Sequence, residues 1–277
     1  MQVFAKRIMD LGELDGAVLL FGGPYSNFQA LSGLSAWAEL AGIPAERVIC
    51  TGDIVGYCAQ PVETVRRFRD LGYRSIAGNC ERQIATRAAE CGCGYDEGST
   101  CSRLAVGWYN FANAQLQHEV RDWFATLPKW ITFRHAGRRC VVIHGGASDI
   151  SRFLWSCSDD QAFLSEITLL ERDIGPVDCV IAGHSGQAFD RRIGRHRWIN
   201  AGVIGMPDNS GTPETAFAVL EGGDLRFQHL HYDAKAARLA MEAAGLIDGY
   251  HLTLTDGWWP SEEVLPTELT RQGLAIG

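Results

Sequence analysis

The stretch RVICTGDIVGYC, residues 47–58, decides how this chain is read. Arg47–Cys50 ends in a short apolar run, the pattern of a buried strand. It breaks at Gly52–Asp53, so the Asp53 carboxylate emerges just past the strand's carboxyl end. In an open α/β sheet that edge is where ligands bind. Pro61 then opens a helix with Val62, Val65 and Phe68 on its inner face, and Gly72 ends it.

The same unit recurs on both sides. Upstream, Ala17–Phe21 (AVLLF) reads as a strand. A helix follows, capped near Ser26 or Asn27, with Phe28, Leu31, Leu34 and Ala38 on one face and a stop at Gly42 before Pro44. Downstream, Tyr73–Ala77 returns to the sheet and delivers Asn79 in AGNCE, residues 77–81. Two later strands, Arg139–Ile143 and Val177–Ala182, run into IHGG (143–146) and AGHSG (182–186). The strand–helix alternation predicts a layered α/β fold. Asp53, Asn79, His144 and His184 all follow strand ends, and their oxygen and imidazole donors suit a divalent cation.

Elsewhere the pattern is plainer. Residues 90–101, ECGCGYDEGSTC, read as a loop, and a helix from about Ala112 to Leu127 is stopped by Pro128. Strands are expected at Arg191–Ile199, Thr215–Glu221 and Leu225–Tyr232, with hairpin turns at Gly194 and Gly222–Asp224. A helix from about Ala234 to Ala244 and an irregular tail with Trp258, Trp259 and Pro260 close the chain. No linker or repeat interrupts it, so a single domain over 1–277 is expected, with its core at about 16–232 and an appendage at 233–277.

The chain has 277 residues, 46% hydrophobic and 21% charged, enough to bury a sizeable core. Its net charge of −8 argues against general nucleic-acid binding, which needs a basic face. The basic run FDRRIGRHRW reads as a solvated hairpin. No apolar stretch reaches membrane-spanning length and the N-terminus lacks a signal-like apolar run, so a cytoplasmic protein is expected.

Nine cysteines is a high, odd number for a reducing compartment. Cys50, Cys140 and Cys179 lie in strands and read as small buried hydrophobes. Cys80, Cys91, Cys93 and Cys101 fall within 22 residues. Their C-x10-C-x-C-x7-C spacing is not that of paired C-x2-C zinc ligands. They are either incidental loop thiols or a soft-metal or redox site.

Taken in order, the segments GGPYSN, GDIVGYC, GNCE, IHGG, GHSG and NAGVIG resemble the pattern of the calcineurin-like metallophosphoesterases, in particular their compact bacterial phosphodiesterase branch. That pattern reads SDxHGN, GDxVGYG, GNHD, a strand ending in His-Gly, GHTH and NPGSVG. The resemblance covers about residues 16–232. It implies a four-layer α/β/β/α sandwich, hydrolysis of a small phosphorylated molecule, and a two-metal centre at the sheet edge. Asp53 falls at the bridging carboxylate, and Asn79, His144 and His184 at the second metal's ligands. Gly23, Tyr25 and Gly186 fall where the first metal's private ligands are expected. Cys80 replaces a histidine that acts on the leaving group, and Asn200 and Gly202 match the segment that supports the pocket floor.

The expectation is therefore an atypical phosphoesterase with Asp53, Asn79, Cys80 and His144 at the reacting centre. It would hold one divalent ion (Mn, Fe, Zn or Ni), or two if the cysteine loop folds back and rebuilds the lost site. Tyr25, Asn27, Cys58 and Gly186 are expected around the pocket. The alternatives are a catalytically impaired ligand- or partner-binding member, or a cysteine-centred metal or redox protein on the same scaffold.

Overall fold

The computed structural model describes residues 8–275. Its strands are Ile8–Glu13 (β1), Val18–Phe21 (β2), Val48–Cys50 (β3), Arg74–Ser75 (β4), Trp130–His135 (β5), Arg138–Val142 (β6), Cys179–Ala182 (β7), Ala188–Ile193 (β8), His196–Ala201 (β9), Thr215–Glu221 (β10) and Asp224–Leu230 (β11). They form a six-stranded sheet, β1-β5-β6-β7-β9-β8, and a five-stranded sheet, β11-β10-β2-β3-β4. Helices of use below are Phe28–Leu40 (α1), Pro61–Leu71 (α2), Asn79–Thr86 (α3), Thr100–Gln115 (α4), His118–Thr126 (α5) and Asp160–Ile174 (α6).

The two-residue period of a strand explains the layering. In β2, Val18 and Leu20 face the other sheet and meet Ile131, Phe133, Val142 and Ile181 in a buried inter-sheet core. Leu19 and Phe21 face the opposite way and pack with Leu31 and Leu34 of α1 and Val65 and Phe68 of α2. On the far side, Val141, Val180 and Trp198 pack with Phe163, Ile167 and Leu170 of α6. Both sheets are thus apolar on both faces, and the order is the four-layer α/β/β/α sandwich that the family resemblance implies. Each fully buried Leu or Phe here contributes roughly 1.5–3 kcal/mol.

The hairpin turn expected at Gly194 is present, at φ +57, and divides Arg191–Ile199 into two strands, β8 and β9. Its basic residues engage acids: Arg197 with Asp190 at 2.7 Å, and Arg191 with Asp160. The single helix expected at Ala112–Leu127 is also two, because Leu116 leaves the helical region at ψ 120. The first starts earlier than the loop reading allowed, since the Ser99 hydroxyl accepts the Ser102 N–H at 3.1 Å. β1, β5, α3 and α6 were not anticipated.

β2, β3 and β4 are mutually parallel, as are β6 and β7. The turns after β2, β3, β6 and β7 carry Tyr25, Asp53, His144 and His184, and α3 begins at Asn79.

Candidate metal centre

The turn after β3 is shaped by one buried carboxylate. Glu81 Oε2 accepts the N–H groups of Asp53 and Gly78, both at 2.8 Å, and Oε1 that of Val55 at 3.4 Å. Asp53 is thereby held at φ +57, and its neighbours across the turn, Tyr25 and Ser26, at +51 and +59. Such left-handed backbone costs of order 1–3 kcal/mol per residue and persists only where packing over-determines it. Gly78 is obligatory: a Cβ there would lie 2.1 Å from Asp53 Oδ1.

Four donor atoms then converge. His144 Nε2 lies 3.0 Å from Asn79 Oδ1, 3.0 Å from His184 Nδ1 and 3.3 Å from Asp53 Oδ2. His144 Nδ1 is 2.7 Å from the Thr51 carbonyl, which can only accept, so Nδ1 carries a hydrogen and Nε2 keeps its lone pair for the centre. Carboxylate, amide oxygen and imidazole lone pairs pointing at one spot are stabilised by a positive charge placed among them. Donors held about 2.0–2.2 Å from one ion stand about 3.0–3.5 Å apart; the other three donors lie at that spacing from His144 Nε2, and those of Asp53, His144 and His184 all fall within 4.8 Å of one another. The residues therefore fit a divalent cation. Asp53, His144 and His184 form the one such His/Cys/Asp/Glu grouping among the described residues.

The electrostatics of Asp53 and His184 agree with that use, while those of His144 show that Asp53 attracts a positive charge there, a proton or a cation. Burial alone would raise the Asp53 carboxyl, but the His144 imidazole and its hydrogen bond outweigh it and hold the group below the usual carboxylate range. Burial pulls His144 down, and the Asp53 carboxylate more than reverses this. His184 is pulled down to about 3 by burial and by His144, so its imidazole is neutral, as a ligand must be. Glu81 is pushed up to about 7 by burial and by Asp53.

The other positions singled out in the sequence are arranged differently. The Tyr25 ring folds back over Gly23, where a Cβ would meet its Cζ at 2.4 Å. It also packs edge-on against Tyr57, centroids 4.7 Å apart. Gly186, at φ +80, borders a small apolar pocket of about 40 Å³ walled by Tyr25, Phe153, Tyr250 and Trp259. The Cys80 N–H donates to Asp53 Oδ1 at 3.1 Å, while its buried thiol is pushed well up by burial, Asp53 and Glu81 and stays protonated. Asn27 caps α1 and donates to the Gly205 carbonyl at 3.0 Å, and Cys58 Sγ reaches the same carbonyl at 3.7 Å. Both side chains thus brace the segment beneath the pocket. Asn200 braces the His184 turn through Ser185 Oγ at 2.7 Å.

The four clustered cysteines divide. Cys91 and Cys93 are joined by a disulfide, whereas Cys80 and Cys101 are free and buried. The loop does fold against the centre: Asn79 Nδ2 donates to the Cys91 carbonyl at 3.0 Å and lies 3.5 Å from both Cys93 Sγ and Cys80 Sγ. Sequence reasoning missed Glu81, Thr51 and Phe153, whose ring centroid is 4.4 Å from that of His184. Glu81 had a signal, an acid at the third helical position after Gly78, which is half of a capping box. Thr51 acts through its backbone and Phe153 through a long-range contact, and neither leaves a local pattern.

Comparison with known proteins places these features. The model of the calcineurin-like phosphoesterase superfamily domain matches residues 31–225. The chain is 23% identical over 226 residues to an uncharacterized protein of Methanocaldococcus jannaschii, covering 77% of this chain and 86% of that one. Its fold is similar to that of a hypothetical protein from Pyrococcus horikoshii (TM-score 0.70, 18% identity, 87% and 98% coverage). It is also similar to that of a metallophosphoesterase from Sphaerobacter thermophilus (TM-score 0.65, 19% identity, 88% and 100% coverage).

Proposed function

The chain belongs to the calcineurin-like phosphoesterase superfamily, and from that premise we propose that it hydrolyses a small phosphorylated molecule with a single divalent cation held by Asp53, Asn79, His144 and His184. The observation that carries this reading is the convergence of Asn79 Oδ1, His184 Nδ1 and Asp53 Oδ2 on His144 Nε2 at 3.0–3.3 Å. The support for one ion rather than two is the Tyr25 ring, which fills the space beside Gly23 where a further carboxylate would extend.

When bound, such a cation polarises a phosphoryl oxygen and makes a water more acidic. The protein's own residues do the rest. The Thr51 carbonyl fixes the His144 ring, and the Cys80 N–H orients Asp53. Phe153 covers one face of His184 and excludes water there. Cys80, a buried neutral thiol, is a poor proton donor to a leaving group, so turnover is expected to be slow and to favour activated esters.

The test is hydrolysis of bis(p-nitrophenyl) phosphate and p-nitrophenyl phosphate with added Mn²⁺. The wild type should turn over at least one of them, and Asp53→Ala should lose both hydrolysis and bound metal. A wild type that binds Mn²⁺ yet hydrolyses neither supports the second reading, a ligand-binding descendant, which the Tyr25 ring and the Cys80 thiol favour. Hydrolysis that survives in metal-free protein contradicts both.

A further inference from the structure

The feature that the hydrolytic reading leaves unused is the disulfide between Cys91 and Cys93, Cα atoms 5.3 Å apart, in the loop before α4. Three residues, Asn79, Ser151 and Tyr57, tie this loop to the centre and the segments beside it. Asn79 Nδ2 donates to the Cys91 carbonyl at 3.0 Å and lies 3.5 Å from Cys93 Sγ. The Ser151 hydroxyl donates to the Gly92 carbonyl. The Tyr95 and Tyr57 hydroxyls meet at 2.8 Å. The cysteine loop thus holds the Asn79 amide nitrogen, and that fixes where Oδ1 faces the other candidate donors. On the loop's outer side is a cleft of about 400 Å³, lined by Cys91, Cys93, Gln83, Glu90, Tyr109 and Asp149. The same two cysteines, only 7% and 6% exposed, therefore border both that cleft and the amide of a metal-ligand candidate.

We propose that Cys91–Cys93 is a thiol–disulfide exchange site, that its substrate is a dithiol entering the cleft, and that its redox state sets the affinity of the metal centre through Asn79. The affinity half rests on the metal-centre reading above; the exchange half does not. A thiolate of the dithiol attacks one sulfur of the pair, forming a mixed disulfide as the other cysteine leaves as thiolate. The dithiol's second sulfur attacks the mixed disulfide, frees the remaining cysteine and departs as a cyclic or intramolecular disulfide. Two electrons pass to the pair, and the two protons given up by the dithiol end on Cys91 and Cys93. Opening the ring removes the covalent closure that positions the Cys91 carbonyl and Cys93 Sγ against Asn79. The amide is then free to rotate its Oδ1 away from His144. Loss of such an orienting contact typically costs 10–100-fold in metal affinity.

The experiment combines thiol trapping with Mn²⁺ titration on the full chain. Air-equilibrated protein is alkylated with iodoacetamide, digested and weighed. A second sample is treated under native conditions with dithiothreitol, which is removed anaerobically before alkylation or titration. The peptide spanning 91–93 should be unlabelled and two hydrogens light in the first sample, and doubly labelled in the second. The Mn²⁺ Kd should rise about tenfold or more on reduction. A Cys91→Ser/Cys93→Ser variant should give one Kd in both conditions. If that variant does not fold, the wild-type pair of samples decides alone.

Labelling of both cysteines in air-equilibrated protein overturns the proposal, as does a disulfide that yields only after denaturation. An unchanged Kd overturns the coupling, and so does a reduced protein that gains an additional ion, which would make the thiols ligands. If Mn²⁺ binds in neither state the metal-centre reading falls and the coupling with it, while the labelling still decides the exchange.

Discussion

Gly23 and Tyr25 are sterically coupled. With the Tyr25 ring 2.4 Å from any Cβ at position 23, an aspartate does not fit there unless the ring moves. Gly23→Asp should destabilise by about 1–3 kcal/mol through overpacking, on top of the strain that any side chain meets at φ +23. The same change beside Tyr25→His should cost measurably less, and urea denaturation of the double-mutant cycle reads the difference. Equal costs with and without Tyr25 would show that the ring is not the obstacle. Glu81 is the second test. Its carboxylate accepts three buried N–H groups, so Glu81→Ala should lose about 3 kcal/mol, with Glu81→Gln recovering part of it. The four clustered side chains could be picked out because Asp, Asn and His directly after apolar runs are informative without a partner in view. The ring over Gly23 was not, since it depends on Tyr25 adopting φ +51, a conformation that no neighbouring residue type announces.

Helix starts were readable where a cap is chemical. Asn27 accepts the Ala30 N–H at 3.0 Å, and Pro61 occupies the first turn of α2. Asn27→Ala should cost about 1–2 kcal/mol in thermal or denaturant unfolding, the upper part of the range reflecting its second bond to the Gly205 carbonyl. A loss below about 0.5 kcal/mol would assign the cap a minor role. Elements without such a signal were missed or merged. The α4–α5 break at Leu116 follows no Gly or Pro. β1 is an edge strand whose residues are mostly exposed, and its identity comes from pairing with β5. The 91–93 disulfide belongs here too, because sequence spacing alone left the loop thiols open to several uses.

Across the molecule, burial of tyrosine hydroxyls sets a limit at alkaline pH. Tyr109 is pushed up to about 12 by burial, and Tyr25 and Tyr57 are raised as well. A phenol whose folded pKa exceeds its unfolded value near 10 favours the protonated, folded state. Its contribution is complete below about pH 10 and is lost as pH climbs through the folded value. Stability should therefore fall between about pH 10 and 12, with phenolate absorbance rising together with loss of near-UV circular dichroism. Free phenolate titration near pH 10 without unfolding would contradict the burial. At this scale the alternation of strands and helices made a layered α/β fold legible, whereas the four-layer order came only from the family resemblance.

The proposed centre holds one ion. Metal analysis of protein saturated with Mn²⁺ and freed of excess, paired with anomalous diffraction from the same material, tests it most directly. The claim predicts one Mn²⁺ per chain, coordinated by Asp53, Asn79, His144 and His184, and none in Asp53→Ala. Two ions sharing Asp53, with the second seated near Gly23 and Gly186, would contradict it.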